Sequence, residues 1–209
     1  MMNFSAEQTE GGIDTEVKGH VLLIGINRPS KRNGFTPKMF RELAEAYTRL
    51  DDDPSLRVGV LCAAGAPFTA GLDLPTCAPL MREGKKLAPE GLVDPFDLGM
   101  PGFRRRTKPM VVAVKGITFT AGIELMLGAD IVVASSSCRF SQLEVKRCIM
   151  PTGGATLRMA ERAGERVGQT IGYATRMDSK QSAATRVLVL TEGISRNLIQ
   201  PDPEPAGIS

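Results

Sequence analysis

Two glutamates, Glu124 and Glu144, sit near the ends of one strand–turn–helix–strand pattern, and their type and spacing suit acid–base chemistry. The stretch that holds them runs from Val111 to Pro151. Met110-Val-Val-Ala-Val114 is a short apolar run that reads as a buried strand, and Lys115-Gly116 breaks it. Thr118-Phe-Thr-Ala-Gly122 follows, and Ile123-Glu-Leu-Met-Leu127 takes up a helical pattern. The first N–H groups of that helix lie at Ala121 and Gly122, with Glu124 one turn inside. Such groups have no partner within the helix and can donate to an oxygen that becomes negative. A second strand, Ile131-Val-Val-Ala134, leads through Cys138 to Glu144 and on to Ile149-Met-Pro-Thr-Gly-Gly154. Two carboxyl groups near the developing charge could move protons. A glutamate in a first helical turn also has a purely structural use, as a partner of the helix dipole, and the local pattern does not choose between the two.

Several elements must form to position this stretch. Ile13–Val17 and His20–Asn27 read as a hairpin around Lys18-Gly19, because β-branched residues flank a turn dipeptide. Arg28-Pro-Ser-Lys-Arg-Asn-Gly34 is a basic turn ahead of a helix from Pro37 to Leu50. Met39, Leu43, Ala46, Tyr47 and Leu50 give that helix a core-facing stripe, and Asp51-Asp-Asp-Pro54 should end it. Arg57–Cys62 reads as a buried strand. From Pro75 to Arg106 the pattern turns irregular. Gly153-Gly154 suits a tight turn.

Composition narrows the function classes. A length of 209 residues suits one domain with a sizeable core, and a net charge of +3 does not point to nucleic acid. Cys62, Cys77, Cys138 and Cys148 show no metal-ligand spacing and read as reduced thiols, which leads us to expect a cytoplasmic protein without a metal site. Met1–Gly12 has no apolar core of a signal peptide, and no stretch approaches the length of a membrane span. His20, the lone histidine, stands at a strand start, so a Ser-His-Asp triad is not expected. No Gly-x-x-x-x-Gly-Lys-Ser/Thr run occurs.

Four segments in order resemble the enoyl-CoA hydratase/isomerase (crotonase) superfamily. They are Ile24–Pro29 with Lys31-Arg-Asn33, Pro67–Leu74, Lys108–Gly116 through Ala121–Glu124, and Arg139–Val145 through Ile149–Pro151. The resemblance covers about residues 13 to 164 and implies an α/β fold, the ββα spiral core of that superfamily. It implies that the backbone N–H groups of Leu72 and Ala121 polarise an acyl-CoA thioester carbonyl, while Glu124 and Glu144 activate a water and deliver its proton. It also implies contacts to the substrate or its CoA part from Lys31, Arg32, Ala70, Gly71, Asp73 and Thr152. The variable region Pro79–Leu98 would bear on acyl length. Coenzyme A enters as part of the substrate, with no separate cofactor, and the usual assembly is a homotrimer or dimer of trimers.

The resemblance stops after about Gly164, which divides the chain into a catalytic core, residues 1–164, and a short divergent tail, residues 165–209. The tail offers Thr170–Thr175, Arg186–Thr191 and a proline-containing end from Ile199, in place of the long helical region of the family. We read it as altered by frameshift or truncation. Three readings stay open: a hydratase-like lyase acting on a 2-enoyl-CoA, a double-bond isomerase of enoyl-CoA using Glu144 alone, and a catalytically defective acyl-CoA binder.

Overall fold

The residues flanking Lys18-Gly19 form the expected hairpin in the computed structural model of the chain, which describes residues 2–147, 149–162, 171–174, 179–180 and 187–190. Strand β1 (Gly12–Lys18) pairs antiparallel with β2 (Val21–Asn27), Lys18 opposite Val21. Helix α1 (Pro37–Asp52) then crosses over to β3 (Val58–Ala63), which runs parallel to β2 with Ile24 beside Leu61. Thr36 starts the helix by accepting the Met39 N–H, and Pro37 fits its first turn. The predicted stripe is buried in full, and Phe40 and Ala44 join it. Burying one Leu or Phe of this kind contributes about 2 kcal/mol, so this stripe is the main anchor of the helix.

Two sequence expectations change here. Helix α1 continues through Asp51 and Asp52 because tertiary partners take their carboxylates. Asp51 accepts the Thr107 and Lys108 N–H groups, and Asp52 pairs with Arg104 at 2.6 Å. The stretch expected to be irregular from Pro75 begins instead with helix α2 (Leu74–Arg82). Pro75 suits a first helical turn, and Pro79 follows one turn later.

Strand β4 (Met110–Val114) lies parallel to β3, with Met110 beside Gly59. A Cβ on Gly59 would fall 2.6 Å from Met110 Cε and 2.7 Å from Leu50 Cδ2, so the sheet and α1 close only over a glycine. Next come β5 (Ile117–Phe119), α3 (Ala121–Leu127), β6 (Ile131–Ala134) and β7 (Arg139–Ser141). The main sheet has the order β1-β2-β3-β4-β6, and β5 pairs parallel with β7. Strand β6 ends that order with Ile131 and Val133 each 58% exposed.

Arg106 fastens the return from α3. Its buried guanidinium donates to the carbonyls of Lys108 and Gly128 and pairs with Asp130 at 2.7 Å, and Asp130 also accepts the Met110 N–H. The end of α3 is thereby tied to the start of β4.

The chain falls into two compact units, residues 1–142 and 143–209. All elements above belong to the first. The second contains a 3-10 turn at Glu144–Arg147, helix α4 (Ala155–Arg162), and a small sheet of β8 (Ile171–Ala174), β9 (Ser179–Lys180) and β10 (Val187–Leu190) in the order β10-β8-β9. The apolar runs at 170–175 and 186–191 thus supply strands. Cys148, the boundary at Gly164 and the proline-containing end lie outside the described residues.

Candidate active site

The segment from Ala64 to Leu72 lacks regular structure, so its backbone groups need partners elsewhere. Asn33 supplies several. It is fully buried, its Nδ2 donates to the Ala64 and Pro67 carbonyls at 2.9 Å each, and its Oδ1 accepts the Arg28 N–H. Thr69, also fully buried, donates its hydroxyl to the Asn33 carbonyl at 2.6 Å and accepts the Gly71 N–H at 3.0 Å. Ala70 N–H goes to the Arg32 carbonyl and Asp73 N–H to the Phe35 carbonyl, while Phe35 N–H donates to the Gly71 carbonyl. This parallel bridge between Phe35 and Leu72 uses the neighbours of Leu72 and turns the Leu72 N–H to the other side. Among the described residues that amide donates to no acceptor.

The second segment leaves β4 through Gly116, whose φ of +56° and close approach to the Ala66 carbonyl, 2.7 Å from a Cβ, both demand glycine. Thr69 N–H donates to the Ile117 carbonyl and Phe119 N–H to the Thr69 carbonyl, so this segment pairs with the first. Thr120 then takes φ 49° and ψ −115°. A β-branched residue held there costs on the order of 1–3 kcal/mol and needs its surroundings to impose it. Ile123 and Glu124 both donate their N–H groups to the Thr120 carbonyl, at 2.8 and 3.2 Å. Ala121 and Gly122 are left with amides that meet no acceptor among the described residues.

The two segments touch where it matters. A Cβ on Gly71 would lie 1.8 Å from Thr120 Oγ1 and 3.1 Å from Thr120 Cβ, which places the residue before Leu72 against the residue before Ala121. A Cβ on Gly122 would lie 2.5 Å from Thr69 Cγ2, so the start of α3 rests directly on Thr69. Glu124 follows on the first turn of α3 and is 5% exposed, beside the positive end of the helix dipole. Chemically, unengaged amides from two adjoining segments can hold an oxygen that gains charge, and a carboxyl on the same helix can exchange protons.

The other anticipated residues are placed as follows. Lys31 ends the 3-10 turn Pro29–Lys31 and is exposed; Arg32, also exposed, holds Ala70 through its carbonyl. Asp73 commits its carboxylate to Arg28 at 2.6 Å and thereby ties the start of α2 to the basic turn. Glu144 opens the 3-10 turn of the second unit at 9% exposure, and burial pushes its carboxyl above the usual range. Thr152 is exposed in that unit. His20 is exposed and its Nδ1 meets the Ser55 carbonyl at 2.7 Å. Burial raises the Cys62 and Cys77 thiols, which keeps both protonated and weakly nucleophilic at neutral pH. Among the described residues no group of three or more His, Cys, Asp or Glu could hold a metal ion, and no helix is long and apolar enough to cross a membrane. Asn33 and Thr69 were given no role from sequence. Their signal is tertiary, since the hydroxyl of Thr69 meets a carbonyl 36 residues away.

A mixed sheet with parallel strands β2, β3, β4 and β6, together with its helices, has the crotonase fold of solved enoyl-CoA hydratases. The chain belongs to the enoyl-CoA hydratase/isomerase family, whose model matches residues 16–192 and so continues past Gly164. It is 36% identical over 154 residues to the enoyl-CoA hydratase EchA19 of Mycobacterium tuberculosis, covering 72% of this chain and 57% of that protein. It is 34% identical over 187 residues to a carnitinyl-CoA dehydratase of Proteus mirabilis, covering 84% of this chain and 67% of that one. A crystal structure of a probable enoyl-CoA hydratase/isomerase from Mycobacterium abscessus matches with a TM-score of 0.67 and 45% identity, over 73% of this chain and 57% of that one. The chain therefore spans a little over half the length of these two mycobacterial proteins.

Proposed function

We propose that the chain is an enoyl-CoA hydratase-like lyase that adds water across the double bond of a 2-enoyl-CoA thioester. The thioester oxygen would take the Leu72 and Ala121 N–H bonds. As the water oxygen bonds to C3, the C2–C3 π electrons shift onto the thioester oxygen, and on their return C2 takes a proton. Glu124 and Glu144 divide the removal of one proton from water and the delivery of one to C2. Fixed main-chain donors suit this task because they need no rearrangement when charge develops, and one such donor is commonly worth about 3 kcal/mol of barrier. Lys31 and Arg32, both exposed on the basic turn, suit the CoA phosphates, and this reading assigns the Thr152 N–H to the water. The proposal includes a cytoplasmic homotrimer or dimer of trimers.

The observation that carries this reading is that the Leu72 and Ala121 amides meet no acceptor among the described residues, in segments that meet at Gly71 and Thr120. Relatives named as hydratases and dehydratases of CoA thioesters support the same chemistry. Incubation with a 2-enoyl-CoA and, separately, a 3-enoyl-CoA tests it. The expected product is a 3-hydroxyacyl-CoA from the former, with Glu144→Gln nearly abolishing hydration and leaving CoA binding intact. Shift of the 3-enoyl double bond without hydration would make the chain an isomerase. Thioester binding without turnover would make it an acyl-CoA binder.

A further inference from the structure

We propose that the Thr69 hydroxyl is a positioning group that fixes the peptide before Leu72 against the Asn33 turn and so aims the Leu72 amide. This inference rests on the hydration reading for its catalytic consequence. Thr69 meets three elements: its hydroxyl ties the loop to the Asn33 turn, its backbone pairs with the strand Ile117–Phe119, and its methyl meets the start of α3. Its Oγ1 donates to the Asn33 carbonyl at 2.6 Å and accepts the Gly71 N–H at 3.0 Å, which sets the orientation of the peptide plane just before Leu72. Its own backbone bonds Ile117 and Phe119, in the strand that leads to Thr120 and Ala121. Its methyl group lies where a side chain on Gly122 would be, 2.5 Å from that Cβ position. The side chain is fully buried, so water does not compete for either hydroxyl bond.

The hydroxyl and the methyl have separate tasks, and two substitutions separate them. Thr69→Val keeps the methyl contact with Gly122 and removes both hydroxyl bonds. Thr69→Ser keeps the hydroxyl and removes the methyl. Misplacement of a catalytic donor by about 1 Å costs about 100-fold in rate, so a loosened Leu72 amide should be visible in kcat.

The experiment combines amide hydrogen exchange, steady-state kinetics with a 2-enoyl-CoA, and infrared spectra of bound butyryl-CoA labelled with carbon-13 at its thioester carbonyl. In Thr69→Val, exchange at Gly71 should accelerate about tenfold or more. The kcat should fall about 10- to 100-fold with KM within about twofold, and the bound carbonyl should lose much of its shift to lower frequency. Thr69→Ser should keep all three near the parent values. Unchanged exchange in Thr69→Val overturns the inference, as does accelerated exchange with unchanged kcat and carbonyl shift. Equal losses in Thr69→Ser would assign the effect to the methyl and also overturn it. If the valine variant does not fold, the serine variant decides alone, and faster exchange at Gly71 there counts against the hydroxyl. A parent protein that neither binds nor turns over the thioester would sink the hydration reading, while the exchange data would still decide whether the Thr69 hydroxyl holds the peptide before Leu72.

Discussion

Gly71 and Thr120 leave each other only the room that a glycine needs, since a side-chain carbon on Gly71 would meet Thr120 Oγ1 at 1.8 Å. Gly71 also holds φ at +100°, a region that L side chains seldom enter. Gly71→Ala therefore faces both strain and collision. We expect it to lower the unfolding free energy by about 2–4 kcal/mol and turnover by at least about 100-fold, because the segments must part to admit the methyl group. Urea unfolding together with an enoyl-CoA assay measures both. Parent-like turnover would mean that the two segments do not act as a unit.

Glu124 offers a carboxyl on the first turn of α3, three residues after Ala121. Glu124→Gln preserves shape and removes its acid–base capacity, so kcat should drop about 10²- to 10⁴-fold with binding of a saturated acyl-CoA retained. Calorimetric titration beside the rate measurement separates these effects. Loss of binding in step with loss of rate would assign Glu124 to the fold instead.

Burial holds the Glu144 carboxyl above its ordinary value of 4.5, while a backbone N–H bond opposes the shift. The folded chain then keeps a proton that the unfolded chain releases in the interval between the ordinary and the raised values. Stability from this group is complete below the ordinary value and is lost as pH rises through the raised one. The stability of the parent protein relative to Glu144→Gln should thus decline with rising pH across that interval. A flat difference in urea midpoints over mildly acidic pH would contradict a buried carboxyl at this position.

Arg106 joins α3 to β4 through two carbonyls and Asp130, with its side chain 6% exposed. Arg106→Ala should destabilise the chain by about 1–3 kcal/mol, a range kept modest because Asp130 is half exposed. Arg106→Lys should recover only part of this, because an ammonium cannot reproduce the planar fork. Denaturant unfolding of both variants is the check, and equal stability of all three proteins would remove Arg106 from the positioning of α3.

Much of the scaffold was legible because local pattern and tertiary environment agree. The hairpin β1–β2, the apolar face of α1 and the strands β3, β4 and β6 all follow from period and turn chemistry. Helix α2 was not legible, because Pro79 falls within a helix that Pro75 opens and masks its pattern. The extra length of α1 depends on Thr107, Lys108 and Arg104, more than fifty residues away. In the candidate site, the helix start at Ala121 can be read from the Thr-Ala-Gly-Ile-Glu pattern. Leu72 came only from the resemblance, because a bare amide is what remains after its neighbours find partners, and those partners lie far along the chain.

The Leu72 and Ala121 amides carry a consequence for how such proteins diverge. A peptide N–H is the same whichever side chain hangs beside it, so residues 72 and 121 are chemically anonymous and can change their letters while keeping the task proposed for them. Under the proposed function, constraint passes instead to the residues that frame those amides: a glycine that makes room, a threonine that braces, an asparagine beneath the loop. Inheritance of this chemistry is therefore recorded in the frame around it.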